Sequence, residues 1–404
     1  MHNERFIIIF VPVNHIKRQA MNPFIITGDV PKEYFCDREA ESDRIVRAVT
    51  GGENLCLISQ RRLGKSKLIR FCYDRDEVSG SFYTFYVDIL HTASLREFTY
   101  EFGQTVFTRL RSTSRKMLQS LVQGLKSVNA EFGFDPASGL PVFSLGLGDI
   151  SRPEYTLTEI FQCLEQADRP CVVTFDEFQQ IGKYPEKNIE ALLRSHIQHL
   201  GNVHFIFSGS EIHMISQMFL SSARPFYHSA SMLELKPIAI DKYSDFVIRH
   251  FERDGKKVSP EAVGTVYRLF EGNTYCMQKT FHEAYETVAK GEECTVPILR
   301  QTVDSVLEEA AAGYRLMLSG IPVRQKELLY AVAEEVRAEK IMGADFLRRH
   351  SLASSSSVQT AADKLVRMEL LAVKDGVYYV PDILLRMFLQ RLMNPEKDFF
   401  RNLN

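Results

Sequence analysis

Short continuous apolar runs alternate with stretches whose apolar residues recur at helical spacing, and from Asp241 onward only the helical period persists. Leu55-Cys56-Leu57-Ile58, residues 81–90, residues 170–175, Val203-His204-Phe205-Ile206-Phe207 and residues 232–235 read as buried strands. Between them, Ile45, Val46 and Val49, then Leu68, Ile69 and Phe71, then a segment over residues 95–128, carry helical spacing. Residues 132–150 read as a hairpin inserted between helices, with Pro136-Ala137-Ser138-Gly139 as its turn. Strands alternating with helices predict an α/β domain over residues 21–238.

Beyond it, Tyr243, Phe246, Val247, His250 and Phe251 share one helical face and stop at Gly255; Val263, Val266, Tyr267 and Phe270 repeat the pattern up to Glu271-Gly272-Asn273. This predicts a small helical domain over residues 239–320, placed as a lid, with His250 as a packing residue. Residues 321–404 carry a helix with Leu328, Leu329 and Val332. Two short helices over 344–350 and 357–371 follow, then a hairpin turning at Lys374-Asp375-Gly376. Three helices and a wing is the order of a winged helix-turn-helix. Residues 1–20 read as a loosely attached extension, with Met21 as a second candidate start.

Chemistry enters where strand gives way to helix. In Ser59-Gln60-Arg61-Arg62-Leu63-Gly64-Lys65-Ser66-Lys67 the Gly-Lys-Ser opens a helix directly after a buried strand, the setting of a phosphate-binding loop. Backbone N–H groups of such a loop wrap phosphates, Lys65 reaches the β and γ phosphates, and the Ser66 hydroxyl goes to Mg²⁺. Ser59 stands where that motif has its first glycine. The run over residues 170–175 ends in Asp176-Glu177, a carboxylate pair delivered to the carboxyl edge of a parallel sheet. In a nucleotide hydrolase the first would hold the metal and the second would polarise the attacking water. Ser208 and Ser210, at the next strand's end, either sit beside the metal and γ-phosphate or form a simple turn. Arg224 is the candidate arginine finger, acting in cis or on a neighbouring subunit, against the reading of a surface arginine.

A composition of 45% hydrophobic and 25% charged residues is that of an ordinary globular protein, and 404 residues allow two or three domains. The net charge of −2 exerts no global pull on nucleic acid. Lys364 and Arg367 against Asp363 and Glu369 leave the would-be recognition helix neutral over those four residues, which ranks a protein partner above duplex DNA. The seven cysteines lack metal spacing and are expected as reduced core residues of a cytoplasmic protein. Phe6 to Val13 is too short to span a bilayer, so no membrane partner is expected.

These pieces, in this order, resemble the archaeal-type P-loop ATPases of the STAND and AAA+ group, akin to origin-recognition ATPases. The resemblance covers residues 21 to about 393 and rests on Asn22-Pro23-Phe24, Tyr34-Phe35 with Asp37-Arg38-Glu39, and Gln60-Arg61-Arg62-Leu63-Gly64-Lys65-Ser66. It rests further on Asp176-Glu177-Phe178-Gln179, Phe207-Ser208-Gly209-Ser210, Pro225-Phe226-Tyr227 and Val380-Pro381-Asp382-Ile383-Leu384-Leu385-Arg386. It implies an ASCE-type parallel sheet in the order 5-1-4-3-2, a helical lid and a C-terminal winged helix-turn-helix. It further implies ATP and Mg²⁺ as ligands, Glu177 as catalytic base, Asp176 as metal carboxylate, and the Arg38 region near the adenine. Where the family often carries an arginine shortly after Pro-x-Tyr this chain has His228-Ser229, which leaves Arg224 as a substitute rather than a match. The reading is a nucleotide-dependent switch, with nucleotide-dependent self-association as a candidate mode. A DNA-binding regulator with a purely structural nucleotide site is the alternative.

Overall fold

A computed structural model describes residues 21–128, 132–134, 141–143 and 146–401. Its centre is a five-stranded parallel sheet of β1 (Leu55–Ser59), β2 (Tyr83–Asp88), β3 (Cys171–Asp176), β4 (Val203–Gly209) and β5 (Ser231–Leu235), ordered 2-3-4-1-5. Read from the other edge this is the expected 5-1-4-3-2.

The apolar runs are continuous because both faces of the sheet are covered. Along β1, Cys56 and Ile58 pack with one cluster while Leu55 and Leu57 pack with another, the period-2 alternation of a strand. The first face is covered by α3 (Leu95–Thr113), α4 (Arg115–Gly124), α5 (Pro153–Glu165), α6 (Ile189–Ile197) and α7 (Ile212–Leu220), around a stack of Phe175, Phe205 and Phe207. The second is covered by α1 (Glu39–Thr50) and α2 (Lys65–Tyr73) through Ile45, Val49, Leu68 and Ile69. The helical segment expected over residues 95–128 is two helices. Ser114 is extended (φ −151°), and its hydroxyl accepts from Met117 N at 3.2 Å, capping α4 while ending α3. The inserted hairpin pairs Phe132–Phe134 with Pro141–Phe143; its turn lies outside the described residues, as does the extension over residues 1–20.

Helices α8 (Ile240–Arg253), α9 (Pro260–Leu269), α10 (Thr274–Thr287) and α11 (Val296–Ser319) lie in the segment expected as a lid. In the winged helix, α12 (Val323–Glu335), β6 (Ala338–Glu339), α13 (Ala344–Arg349), α14 (Ser355–Arg367), β7 (Ala372–Lys374) and β8 (Val377–Tyr379) precede α15 (Ile383–Met393). The wing turns on Asp375 (φ 52°) and Gly376 (φ 81°), both left-handed as a two-residue hairpin with right-handed strand twist requires. Lid and winged helix share one apolar cluster running from Phe246, Phe281 and Val303 to Leu329, Leu365 and Phe388. The N-terminal arm belongs to it as well. Phe24 is fully buried among Phe246, Phe251, Phe281 and Tyr285, and Asn22 Nδ2 donates to His282 O at 3.1 Å. Among the described residues no helix is long and apolar enough to cross a membrane.

Candidate active site

Because β1, β3 and β4 are parallel, Ser59, Asp176 and Gly209 arrive at one edge of the sheet, where the strand order reverses around β1. Ser59 is the last residue of β1, keeps a negative φ and is buried; its hydroxyl donates to Gln60 O at 3.0 Å. A glycine's backbone freedom is therefore not needed at this position. It is needed at Gly64, whose φ of 90° precedes the first turn of α2. Arg62 is also left-handed, at φ 66°. The loop thus opens onto a helix N-terminus, whose free N–H groups and dipole favour an anion.

Lys65 is 6% exposed and its ammonium is ion-paired with Asp176 Oδ1. It lies 3.4 Å from both Glu177 Oε1 and Ser208 Oγ. Ser66 Oγ donates to Asp176 Oδ2 at 2.9 Å. Ser208 donates to Oδ1 of the same carboxylate, and the Tyr86 phenol to Oδ2. Burial pushes the Asp176 carboxyl up, but the Lys65 charge and the bonds from Lys65, Ser208 and Tyr86 outweigh it and hold it down at about 2. Burial, then the Asp176 charge, push the Tyr86 phenol far above its ordinary range, so it stays a donor.

Glu177 leaves β3 in the left-handed region (φ 57°, ψ 43°), an uncommon conformation for a non-glycine residue that is over-represented at functional sites. Its Oε2 accepts from Gln179 Nε2 at 2.6 Å, Ser210 N at 3.1 Å and Ser210 Oγ at 2.7 Å. The acids, the lysine and both serines at the end of β4 are thus brought together.

The remaining loop residues point elsewhere. Arg61 Nε donates to Ser210 Oγ at 3.4 Å while its guanidinium is ion-paired with Glu369 of the winged helix. Arg62 lies 3.1 Å from Asp382 and 4.9 Å from the Tyr275 ring centroid, and its carbonyl accepts from Tyr275 N at 3.1 Å. Leu63 is buried and its carbonyl accepts from the buried Arg38 at 3.5 Å. Gln60 is exposed, and burial lowers the Lys67 ammonium. Arg224 is not gathered into the site. It is bidentate on Glu190 of α6, with Nε to Oε2 at 3.1 Å.

The family profile described as an ATPase domain predominantly from Archaea matches residues 35–280. The chain belongs to that ATPase family. A second profile, a probable winged helix domain, matches residues 312–391. Among solved structures, a Walker-type ATPase of Pyrococcus abyssi is similar at 19% identity and a TM-score of 0.60, over 91% of this chain and 99% of that one. The ORC2 protein of Aeropyrum pernix, solved with ADPNP and ADP, is similar at 14% identity and a TM-score of 0.58, over 93% and 99%. The ORC1 protein of the same organism, solved with DNA, is similar at 12% identity and a TM-score of 0.50, over 93% and 97%. At these identities the likeness is one of fold. No curated protein sequence matches the chain. Family membership makes the protein a nucleotide-binding ATPase.

Tyr86 and Gln179, which meet the carboxylates, and Glu369 and Asp382, which meet the loop arginines, are contacts that the sequence did not place beside the candidate site. Tyr86 was within reach, since the order 5-1-4-3-2 sets β2 beside β3 and Tyr86 falls two residues before the end of β2. Nothing local marks Glu369 or Asp382 as neighbours of the loop.

Proposed function

We propose that the chain is an ATP hydrolase that works as a nucleotide-dependent switch, with Lys65, Ser66, Asp176 and Glu177 as its reaction centre. The observation that carries the reading is the convergence of Lys65 and Ser66, at a helix N-terminus, on Asp176 and Glu177. The N–H groups of the loop and the start of α2 cradle the β and γ phosphates, and Lys65 exchanges Asp176 for phosphate oxygens. Ser66 and Asp176 offer hard oxygen donors that suit Mg²⁺ and would hold it, and the ion would supply neutralisation of phosphate charge there. Glu177 accepts a proton from the water that attacks the γ-phosphorus, and the bond from that phosphorus to the bridging oxygen breaks to leave ADP and phosphate. Ser208 and Ser210 connect this centre to β4.

The moving part is the lid and the winged helix together. A shared apolar core binds those two together with the N-terminal arm, whereas Arg61–Glu369, Lys183–Glu369 and Arg62–Asp382 join the winged helix to the phosphate-loop edge of the α/β domain as ion pairs. Ion pairs at a half-exposed seam exchange readily with solvent; a buried apolar core does not. This arrangement supports placement in the STAND group. A protein partner is favoured over duplex DNA, because Asp363 and Glu369 balance Lys364 and Arg367 at α14, and Glu369 just beyond that helix is engaged by Arg61 of the loop. Arg224, carried on Glu190, is retained as a finger only for a neighbouring copy, which ties it to self-association. Seven cysteines, all buried and free, suit a reduced cytoplasmic setting.

The test uses two variants of the full chain, with nucleotide binding and phosphate release followed separately. Lys65→Ala should lose ATP binding, and Glu177→Gln should keep it while losing turnover. Parent-like hydrolysis by Glu177→Gln would remove Glu177 as the base.

A further inference from the structure

The tripeptide Ser208-Gly209-Ser210 lies against Asp176-Glu177-Phe178-Gln179, each of its residues meeting a different one of them. Ser208 donates to Asp176, Ser210 donates to Glu177, and Gly209 lies against the Gln179 side chain. A Cβ on Gly209 would stand 2.1 Å from Gln179 Oε1 and 2.8 Å from Ile215 Cδ1, a space that no side chain fits while Gln179 keeps its position. We propose that Gln179 is a positioning residue that orients Glu177 for proton transfer, and that Gly209 is glycine in order to seat it. The inference rests on the reading of Glu177 as the base.

Gln179 is 1% exposed, in the 3-10 turn Phe178–Lys183. A buried amide needs partners at both ends to offset its desolvation, and an apolar side chain of the same size would avoid that cost. Gln179 has a partner at one end. Its Nε2 donates to Glu177 Oε2 at 2.6 Å, while its Oε1 is buried with no hydrogen-bond partner among the described residues. A side chain kept for packing alone would not be left in that condition. The bond that it does make reaches the reaction centre.

The geometry at Glu177 explains what the bond does. Every donor from Gln179 and Ser210 falls on Oε2, and Oε1 is turned to Lys65 Nζ at 3.4 Å. One oxygen is therefore anchored and the other is presented toward the side where the loop lysine stands. Anchoring fixes the plane of the carboxylate, so Oε1 keeps a lone pair aimed at one place. A misplacement of about 1 Å in such a group costs on the order of 100-fold in rate. Ser210, just beyond β4, supplies two of the donors, and Gln179 supplies the third from the chain that follows Glu177 itself, so Gln179 ties the carboxylate to the turn that follows it.

The experiment measures steady-state ATP hydrolysis and fluorescent-nucleotide binding on the full chain, for the parent, Gln179→Leu, Gln179→Ala, Gly209→Ala, Gln179→Ala with Gly209→Ala, and Glu177→Gln. Gln179→Leu should lower kcat by about 10- to 100-fold with KM and ATP affinity within about threefold of the parent, a split that loss of packing alone would not produce. Gly209→Ala should lower kcat comparably although Gln179 is retained. The double variant, with room for both methyl groups, should be no slower than Gln179→Ala. A parent-like or raised kcat in Gln179→Leu, with Glu177→Gln inactive, overturns the positioning role alone, and the raised value would make Gln179 a brake. Multiplying defects in the double variant overturn the seat at Gly209. Turnover by Glu177→Gln overturns the reading of the base instead.

Discussion

Arg61, in the loop that leads to Lys65, is ion-paired with Glu369, more than 300 residues later and just beyond the third helix of the winged helix. Arg62, its neighbour, meets Asp382 at 3.1 Å in the same domain. Two neighbouring arginines therefore join the loop to the winged helix, and the proposed switch would couple nucleotide occupancy to domain position through them.

Charge removal at Glu369 and Asp382 tests that coupling. Asp382 Oδ1 also caps α15, accepting from Leu384 N and Leu385 N, so Asp382→Asn keeps the cap while it removes the charge and the acceptor that the Tyr314 phenol uses on Oδ2. Half-exposed pairs contribute about 0.2–1 kcal/mol each, so each of Glu369→Gln and Asp382→Asn should speed ADP release by up to about fivefold. Stopped-flow displacement of a fluorescent ADP reads this directly. Unchanged release in the double variant would sever the loop from the winged helix.

Ser59 and Gly64 should respond oppositely to substitution. Ser59→Gly gains nothing at a negative φ, and should leave nucleotide affinity within about twofold while destabilising the strand by roughly 0.5–1 kcal/mol. Gly64→Ala forces a Cβ into φ 90°, where no neighbour lies within 4 Å but the backbone itself is strained by roughly 1–2 kcal/mol. Affinity by calorimetry should fall at least tenfold in Gly64→Ala, and a parent-like value would mean that the loop does not use this conformation.

Tyr86→Phe removes one donor from Asp176 Oδ2 and leaves Ser66 on the same oxygen. A hydrogen bond to a charged group contributes about 1.5–3 kcal/mol, so the carboxylate loses a large part of its restraint. The Mg²⁺ concentration for half-maximal hydrolysis should rise several-fold, while ATP binding in the presence of a chelator stays at the parent value. Equal Mg²⁺ dependence in the two proteins would assign Tyr86 to packing.

His250 makes the lid sensitive to acid. Burial first, then the charges of Arg253 and Arg249, push its imidazole down to about 4, with Asp254 opposing them, and its ring sits among Phe24, Tyr34 and Phe246. The unfolded chain, with an ordinary value near 6.5, binds the proton first as pH falls. Stability from this residue is therefore complete above about pH 6.5 and is lost progressively toward pH 4. Urea denaturation at pH 7 and pH 5 should show a smaller difference in His250→Phe than in the parent.

The sequence by itself determined the local chemistry. A strand buried on both faces needs a continuous apolar run, and a loop that cradles phosphate needs Gly64 before Lys65. A paired acid at a strand end reaches the sheet edge whatever surrounds it. Those requirements act over a few residues, so they are legible in Leu55-Cys56-Leu57-Ile58, in Gly64-Lys65-Ser66 and in Asp176-Glu177. Tertiary structure decided what meets these groups from far along the chain. Tyr86 and Gln179 look like ordinary strand and turn residues until the sheet order and Gly209 bring them to the carboxylates. Arg224 reads as a finger or a surface arginine, and only the fold shows that α6 presents Glu190 to it. The lid and the winged helix read as separate helical units, yet Phe246, Leu329 and Phe388 enter one core, because amphipathic faces specify burial and leave the partner to packing. Contacts such as Arg61 with Glu369 carry no local pattern, since an ion pair at a seam requires only opposite charge and a geometry that the whole fold supplies.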